Sequence, residues 1–444
     1  MIGAGARYSA SARLDRLAIG SFHKRAMWAL AYVFFFELGD LNSFAFAAPA
    51  LRVQWKLSVA SIGIITSAAF IGMFVGAVIG GWFSDRVGRK KALLLTTAWY
   101  SVFSLLNAFA WNVPSLFALR FLTGVGLSAM TAVAITYISE IFPAKKRGTY
   151  QGWIMTIGLL GIPITAFVAG EFIRMAPSGW RLVFVWGALG IAIFLFSRQL
   201  EESPRWYENH GRLAEADAVL DRIEARSKSE FGSLQPIVEE PIITRPHSRF
   251  SDLFAPAYLA RTSMLMGAWI FQTLGVYGFL AWVPTLLAAH GFPLVESLQW
   301  VSIMEFGAPI GALVAALVSD RWERKYLIAA TALVIGFFGL MYGLSSKMLP
   351  IIIFGFCVSM FIQTFAPLLY AYTPECYPTG IRNSGSGLVY GSGRLANSFG
   401  PLMVAFLFTR YGYQSVFVYI VATWLMVAFI IGAFGPRTKG RTLA

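Results

Sequence analysis

The sequence predicts an all-α membrane protein whose twelve transmembrane helices form two six-helix, pseudo-symmetric bundles. Three observations carry that prediction. First, apolar stretches recur along a chain of 444 residues that is 57% hydrophobic and only 13% charged, about half the charge fraction usual in soluble proteins. Each stretch is long enough to cross a bilayer of ~30 Å as a helix. Second, the basic residues segregate to one side of the predicted spans. Third, the first half of the chain is repeated in the second at a constant offset.

The spans fall at roughly 26–50, 59–82, 91–111, 113–137, 149–171, 181–199, 260–289, 297–318, 327–345, 350–372, 384–409 and 414–435. With the N-terminus in the cytoplasm, 28 of the 36 Lys and Arg lie on the cytoplasmic side. Arg52, Lys56, Arg174, Arg181, Lys347 and Arg410 lie outside, and Arg120 and Arg394 lie within spans. The positive-inside rule then places both termini in the cytoplasm. Topology thus accounts for the net charge of +14, and no nucleic-acid partner is needed to explain it.

The expected units are a cytoplasmic tail (1–25), a six-helix bundle (26–199), a cytoplasmic linker (200–258), a second bundle (259–435) and a cytoplasmic C-tail (436–444). Within the linker, GRLAEADAVLDRIEAR at 211–226 sets Leu213, Ala216, Val219, Leu220 and Ile223 on one helical stripe. Pro236, Pro241 and Pro246 then break regular structure. No short apolar stretch with a cleavage site precedes the first span, so no removable signal peptide is expected. Cys357 and Cys376 suggest neither a disulfide nor a metal site. The sequence holds no Asn-x-Ser/Thr acceptor, and the expected location is a bacterial inner membrane, with the chain as a monomer.

The repeat is ungapped. GAVIGGWFSDRVGRK at 76–90 aligns with GALVAALVSDRWERK at 311–325, an offset of 235 residues. The same offset carries Tyr137, Glu140, Pro143, Arg147 and Gly152 onto Tyr372, Glu375, Pro378, Arg382 and Gly387. Such duplication is typical of transporter folds.

These residues resemble the major facilitator superfamily. Its loop signature between spans 2 and 3 is matched by Gly81, Asp85, Arg86, Gly88, Arg89 and Lys90, and its span-4 pattern by Arg120, Gly124 and Gly126. EESPRW at 201–206 resembles a sugar-porter motif, with Glu201 replacing its first proline. YTPECYPTGIRNSGSG, with Pro374, Glu375, Tyr377, Pro378, Arg382 and Asn383, looks most like the branch of nicotinate, organic-ion and synaptic-vesicle carriers. The resemblance implies alternating access, in which two bundles rock around a central site. Asp85, Arg86, Arg89, Glu140 and Arg147, with their counterparts Asp320, Arg321, Arg324, Glu375 and Arg382, then form a breakable cytoplasmic gate.

Five ionisable residues remain deep in spans: Glu37, Asp40, Arg120, Glu305 and Arg394. Each costs roughly 2.5–3.5 kcal/mol at mid-bilayer and should face the interior with a partner or a task. Glu37 and Asp40, three residues apart in FFFELGDLNSF, share a helix face below Pro49, an expected kink. Two carboxylates so close in a poorly solvated setting do not both ionise easily, which suits a proton carrier. An Arg120 brought near would favour proton release. Asp40 matches the second acid of the family's usual Asp-Gly-x-Asp, and is favoured over Glu37 as the coupling group.

The repeat places Gln272 opposite Glu37 and Tyr277 opposite Asn42, neutral groups where the first half has titratable ones. Gln272, Tyr277, Trp282, Gln363 and Asn397 are therefore candidate substrate contacts. Glu305 and Arg394 join them as charges peculiar to the second half, which would pair with each other or bind opposite ends of a substrate. Arg394 suits a carboxylate.

The expected function is proton-coupled uptake of a small organic acid, of monocarboxylate or aromatic type. Three alternatives stay open: a proton-driven exporter of organic cations, a sugar uniporter or symporter, and a non-transporting solute sensor. Nothing points to an enzyme or a cofactor; the proton gradient would supply the energy. The Gly-rich GSGLVYGSG at 385–393 is read as a helix-packing surface.

Overall fold

A computed structural model describes residues 8–237, 250–289, 291–319, 321–378 and 381–438. Among these, ten helices are long and apolar enough to cross a membrane, the first Ser21–Trp55 and the last Tyr413–Phe434. Two more complete the twelve. Span 3 is Arg89–Asn107, whose first turn carries three cations, and span 11 is divided into Arg382–Asn397 and Gly400–Tyr411.

Four spans break where a proline removes a backbone donor and crowds the carbonyl four residues earlier. Pro163 explains the break between Leu159 and Gly161 in span 5, and Pro284 that between Leu280 and Val283 in span 7. Pro309 does the same after Glu305 in span 8, and Pro401 after Asn397 in span 11. Pro49 differs: the helix of span 1 runs through it unbroken, so the kink expected there is no interruption.

The duplication is visible atom by atom. Spans 2 and 4 meet backbone to backbone, and a methyl on Gly72 or Gly76 would overlap the carbonyls of Phe121 or Val125. In the second half, Gly307 and Gly311 meet the carbonyls of Phe356 and Met360 in the same way. All four pairs obey the offset of 235. Close approach of small residues is what allows helices to associate in lipid, where no hydrophobic drive separates protein from solvent.

The halves seal at the end remote from the linker. There Ser302 Oγ donates to the Pro163 carbonyl at 2.8 Å, Gln299 reaches Glu171 at 3.4 Å, and spans 2 and 11 pack at Gly63 and Ala405. Towards the linker end, Gly148 and Gly152 of span 5 and Gly387 and Gly391 of span 11 have nothing within 4 Å of where a Cβ would stand.

The linker contains helices Pro204–Asn209 and Leu213–Phe231. Its stripe of Val219, Leu220 and Ile223 packs on Ala10, Leu14, Leu17 and Phe22 of the N-terminal tail. The tail thus forms a helix, Ala10–Asp15, held by Arg13 to Asp217, Asp221 and Glu224 at 3.2, 2.6 and 2.8 Å. Pro241 and Pro246 lie outside the described residues.

Candidate binding site between the halves

Helical geometry places Asp40 and Glu37 on neighbouring but distinct lines of span 1, and each has its own partners. Asp40 is fully buried; its Oδ1 accepts from Ser104 Oγ, and from Ser43 Oγ at 3.4 Å. Arg120 Nη1 lies 3.9 Å from Asp40 Oδ2 and donates to Ser43 Oγ at 3.4 Å. The guanidinium sits between the rings of Phe44 and Phe184, 5.8 and 5.9 Å from their centroids. This pair is internal to the first half. The arginine that the sequence wanted near the acid is there.

Glu37 faces the other half. Thr131 Oγ1 donates to its Oε1 at 2.9 Å, and Arg394 acts on it electrostatically across the interface. Arg394 itself donates to Ser128 Oγ at 3.0 Å, so a second-half cation is moored on span 4. Tyr277 lies in the same field, acted on by Arg394, Glu37 and Tyr370. Its ring meets Phe70 edge-on at 4.8 Å, and with Asn42 and Arg120 it lines a narrow pocket.

An aromatic cluster adjoins this centre. Trp269, Tyr370 and Tyr390 meet pairwise at 4.6 to 5.1 Å between centroids. Thr373 accepts from the Trp269 indole at 2.9 Å, and Tyr390 donates to the Tyr370 carbonyl at 3.2 Å. Tyr370 remains 48% exposed. Gln272 is tied to Thr273 at 2.6 Å, and Thr273 lies against Gly393, next to Arg394. One cation, one acid and hydroxyls therefore meet at the interface, and the three rings of the second half lie beside them through the contact of Trp269 and Thr273 with Gly393, a composition suited to an organic ion with a flat apolar body.

Comparison with known proteins decides the family. A model described as sugar (and other) transporter matches residues 25–444. The chain belongs to this family of the major facilitator superfamily. It is 44% identical to the putative metabolite transport protein YyaJ of Bacillus subtilis, over 98% of this chain and 97% of that one. To the niacin transporter NiaP of Acinetobacter baylyi it is 31% identical, over 97% and 98%. A partially occluded inward-open structure of the xylose transporter XylE from E. coli matches with a TM-score of 0.76 at 18% identity. That match covers 96% of this chain and 100% of the other, and is a likeness of fold. The protein is a multi-pass membrane transporter and not an enzyme.

In this transporter the gate motifs make ion pairs within each half. Arg89 binds Glu140 at 2.9 to 3.1 Å and Asp85 at 2.6 Å, and Arg86 covers the Trp82 ring at 4.3 Å. Arg324 pairs Glu375, the same contact one repeat later. Arg382 donates to the Tyr377 carbonyl at 3.4 Å, and Arg147 is half-buried. Arg321 sits in the same loop, and Asp320 lies outside the described residues. EESPRW docks here: Ser203 donates to Glu140, Trp206 to the Asp85 carbonyl at 2.7 Å, and Glu202 accepts from Lys90 N at 2.9 Å. Among the described residues, the pairs of these motifs join groups within one half: Arg89 with Asp85 and Glu140, and Arg324 with Glu375.

The remaining substrate candidates sit as follows. Trp282 is 0% exposed, within the apolar core. Glu305 is buried and accepts from Ser359 Oγ at 2.9 Å, on spans 8 and 10 of its own half. Arg394 turns instead to Ser128 and Glu37, so the two second-half charges do not pair with each other. Asn397 is buried beside the span-11 break, and Gln363, half-buried, stands four residues before Pro367. Sequence reasoning missed Ser128 and Thr131, although both continue the stripe from Arg120 through Gly124 at helical spacing. It also missed Ser104 and the aromatic cluster, whose members come from three separate spans.

Proposed function

We propose that this transporter is a proton-coupled symporter that takes up a small organic acid, best matched by an aromatic monocarboxylate. The observation that carries this reading is the position of Arg394, moored on Ser128 of the opposite half with Glu37 in its field. A guanidinium there offers two parallel donors to a carboxylate, while Trp269, Tyr370 and Tyr390 offer rings to the apolar body. The 31% identity to a niacin transporter supports a substrate of that kind.

Coupling follows from competition. An ionised Glu37 and a substrate carboxylate both want Arg394, and only one is accommodated. Protonating Glu37 releases the guanidinium, so proton and anion bind together and leave together. Thr131 keeps the acid in place in either state. Asp40, favoured from the sequence, becomes the fixed counter-ion of Arg120, and the coupling role passes to Glu37.

The cycle runs as alternating access, with the termini and linker in the cytoplasm by the charge asymmetry. Substrate and proton enter from the far end, the halves rock, and both leave at the linker end, where the glycine faces of spans 5 and 11 stand open. Pairs such as Arg89–Glu140 keep each half rigid during rocking.

The test is accumulation of a labelled aromatic monocarboxylate in proteoliposomes under an imposed inward proton gradient. A thermal-shift screen of small acids, amines and sugars would choose the compound. Gradient-driven accumulation that Arg394→Gln abolishes is expected. Accumulation indifferent to the gradient, or selective stabilisation by amines or sugars, would overturn the reading.

A further inference from the structure

We propose that the groove between the N-terminal tail and the start of span 5 binds the headgroup of an anionic phospholipid. The groove holds about 500 Å³, within the ~300–1,000 Å³ of small-molecule sites. One wall is the apolar run Leu17–Ala18–Ile19, held in place by the Arg13 clasp; the other is the first turns of span 5.

Its chemistry is layered along the membrane normal. Lys145 and Lys146 occupy the first turn of the helix Ala144–Leu159, and among the described residues neither has an ion-pair partner. Trp153, 51% exposed, follows seven residues later, about 10 Å deeper at 1.5 Å per residue. Tyr150 between them is fixed by stacking on Phe142 at 5.3 Å. Cations at the rim, a ring at the hydrocarbon boundary and an apolar wall match a phosphate, glycerol backbone and acyl chain taken in order. A soluble anion would use the rim alone and leave the tryptophan idle.

One carboxylate lies in the groove, and it is already engaged. Asp15 Oδ1 accepts from the Ala144 backbone N–H at 2.7 Å and faces Arg205 at 3.9 Å. It caps the helix end and leaves the lysines uncompensated.

The test uses the full chain in phosphatidylcholine nanodiscs doped with brominated phosphatidylglycerol or brominated phosphatidylcholine. The quenching lost in Trp153→Phe isolates the signal of that ring. We expect the Trp153 signal to report enrichment of the anionic lipid on the order of tenfold, from two lysines near the surface. K145Q/K146Q should abolish the preference, and K24Q/R25Q, which changes exposed cations at the start of span 1, should leave it intact. Equal quenching by both lipids, or a preference that survives K145Q/K146Q, would overturn the site. Loss of the preference to millimolar inorganic phosphate would replace the lipid with a soluble anion and equally refute the proposal.

Discussion

Replacing Glu37 by Gln separates the two intramembrane acids. The amide keeps an acceptor for Thr131, whose hydroxyl stands 2.9 Å from Glu37 Oε1, so the fold should tolerate the change. It removes the charge that competes for Arg394. In the unaltered protein, affinity for a monocarboxylate should fall about tenfold per pH unit once Glu37 is ionised, the 1.36 kcal/mol that one proton carries per unit. In E37Q that slope should vanish. Counterflow should persist, because the empty and loaded forms still interconvert, while accumulation driven by a proton gradient should disappear.

Asp40→Asn should behave differently. At 3.9 Å, Asp40 and Arg120 attract by about 4 kcal/mol at an effective dielectric of 20. Removing one member leaves Arg120, 2% exposed, without a counter-ion, a loss of about 3–5 kcal/mol for a buried pair. D40N should therefore lower the thermal unfolding temperature sharply, and D40N/R120Q should recover part of it. Binding of a labelled monocarboxylate against pH, with unfolding in the same detergent, reads both effects. A pH slope that persists in E37Q and flattens in a well-folded D40N would refute the assignment and return coupling to Asp40.

Two further outcomes follow from residues outside the central site. Glu305→Gln should leave KM and the pH profile of uptake unchanged, because Ser359 finds an acceptor in either side chain; a lost substrate or shifted profile would restore Glu305 to the site. Burial alone would raise the Glu224 carboxyl, but bonds from Arg13 and Arg16 outweigh it and hold the group below its ordinary 4.5. The clasp contribution is then complete above about pH 4.5 and is lost as pH falls through the lower folded value. Hydrogen exchange of the tail should accelerate in acid, and Arg13→Ala should reproduce this at neutral pH with a loss of about 1–2 kcal/mol after solvent screening. Tail exchange indifferent to both changes would refute the clasp.

The twelve spans were legible because lipid imposes length and apolarity on every crossing, and the duplication because a fixed offset survives in Gly76 and Gly311 alike. The partners of Asp40 were half legible: Arg120 announces itself by charge, but Ser104 is one of many serines and carries no periodic signal. Trp269, Tyr370 and Tyr390 were invisible as a group, since contact among spans 7, 10 and 11 is set by bundle geometry and not by spacing along the chain. The folded tail was missed for a similar reason. Arg13 finds its acids more than 200 residues away, and its helix spans only Ala10–Asp15.

Duplication and asymmetry divide the molecule by task. Parts that must move alike are kept in both copies: the backbone contacts Gly76–Val125 and Gly311–Met360, and the ion pairs Arg89–Glu140 and Arg324–Glu375. Parts that do chemistry are not. Glu37 stands opposite Gln272, Asp40 opposite Gly275, Arg120 opposite Gly355, and Arg394 opposite Leu159. Rocking needs matched levers, because each half is braced against the same membrane. Coupling as proposed needs the opposite: an acid on one side of the seam and its competitor's cation on the other, so that neither half alone would bind substrate and hold the proton. Arg394→Leu, which puts at this position the residue that stands opposite it in the repeat, should lose the coupling, since no second-half cation would then compete for the acid.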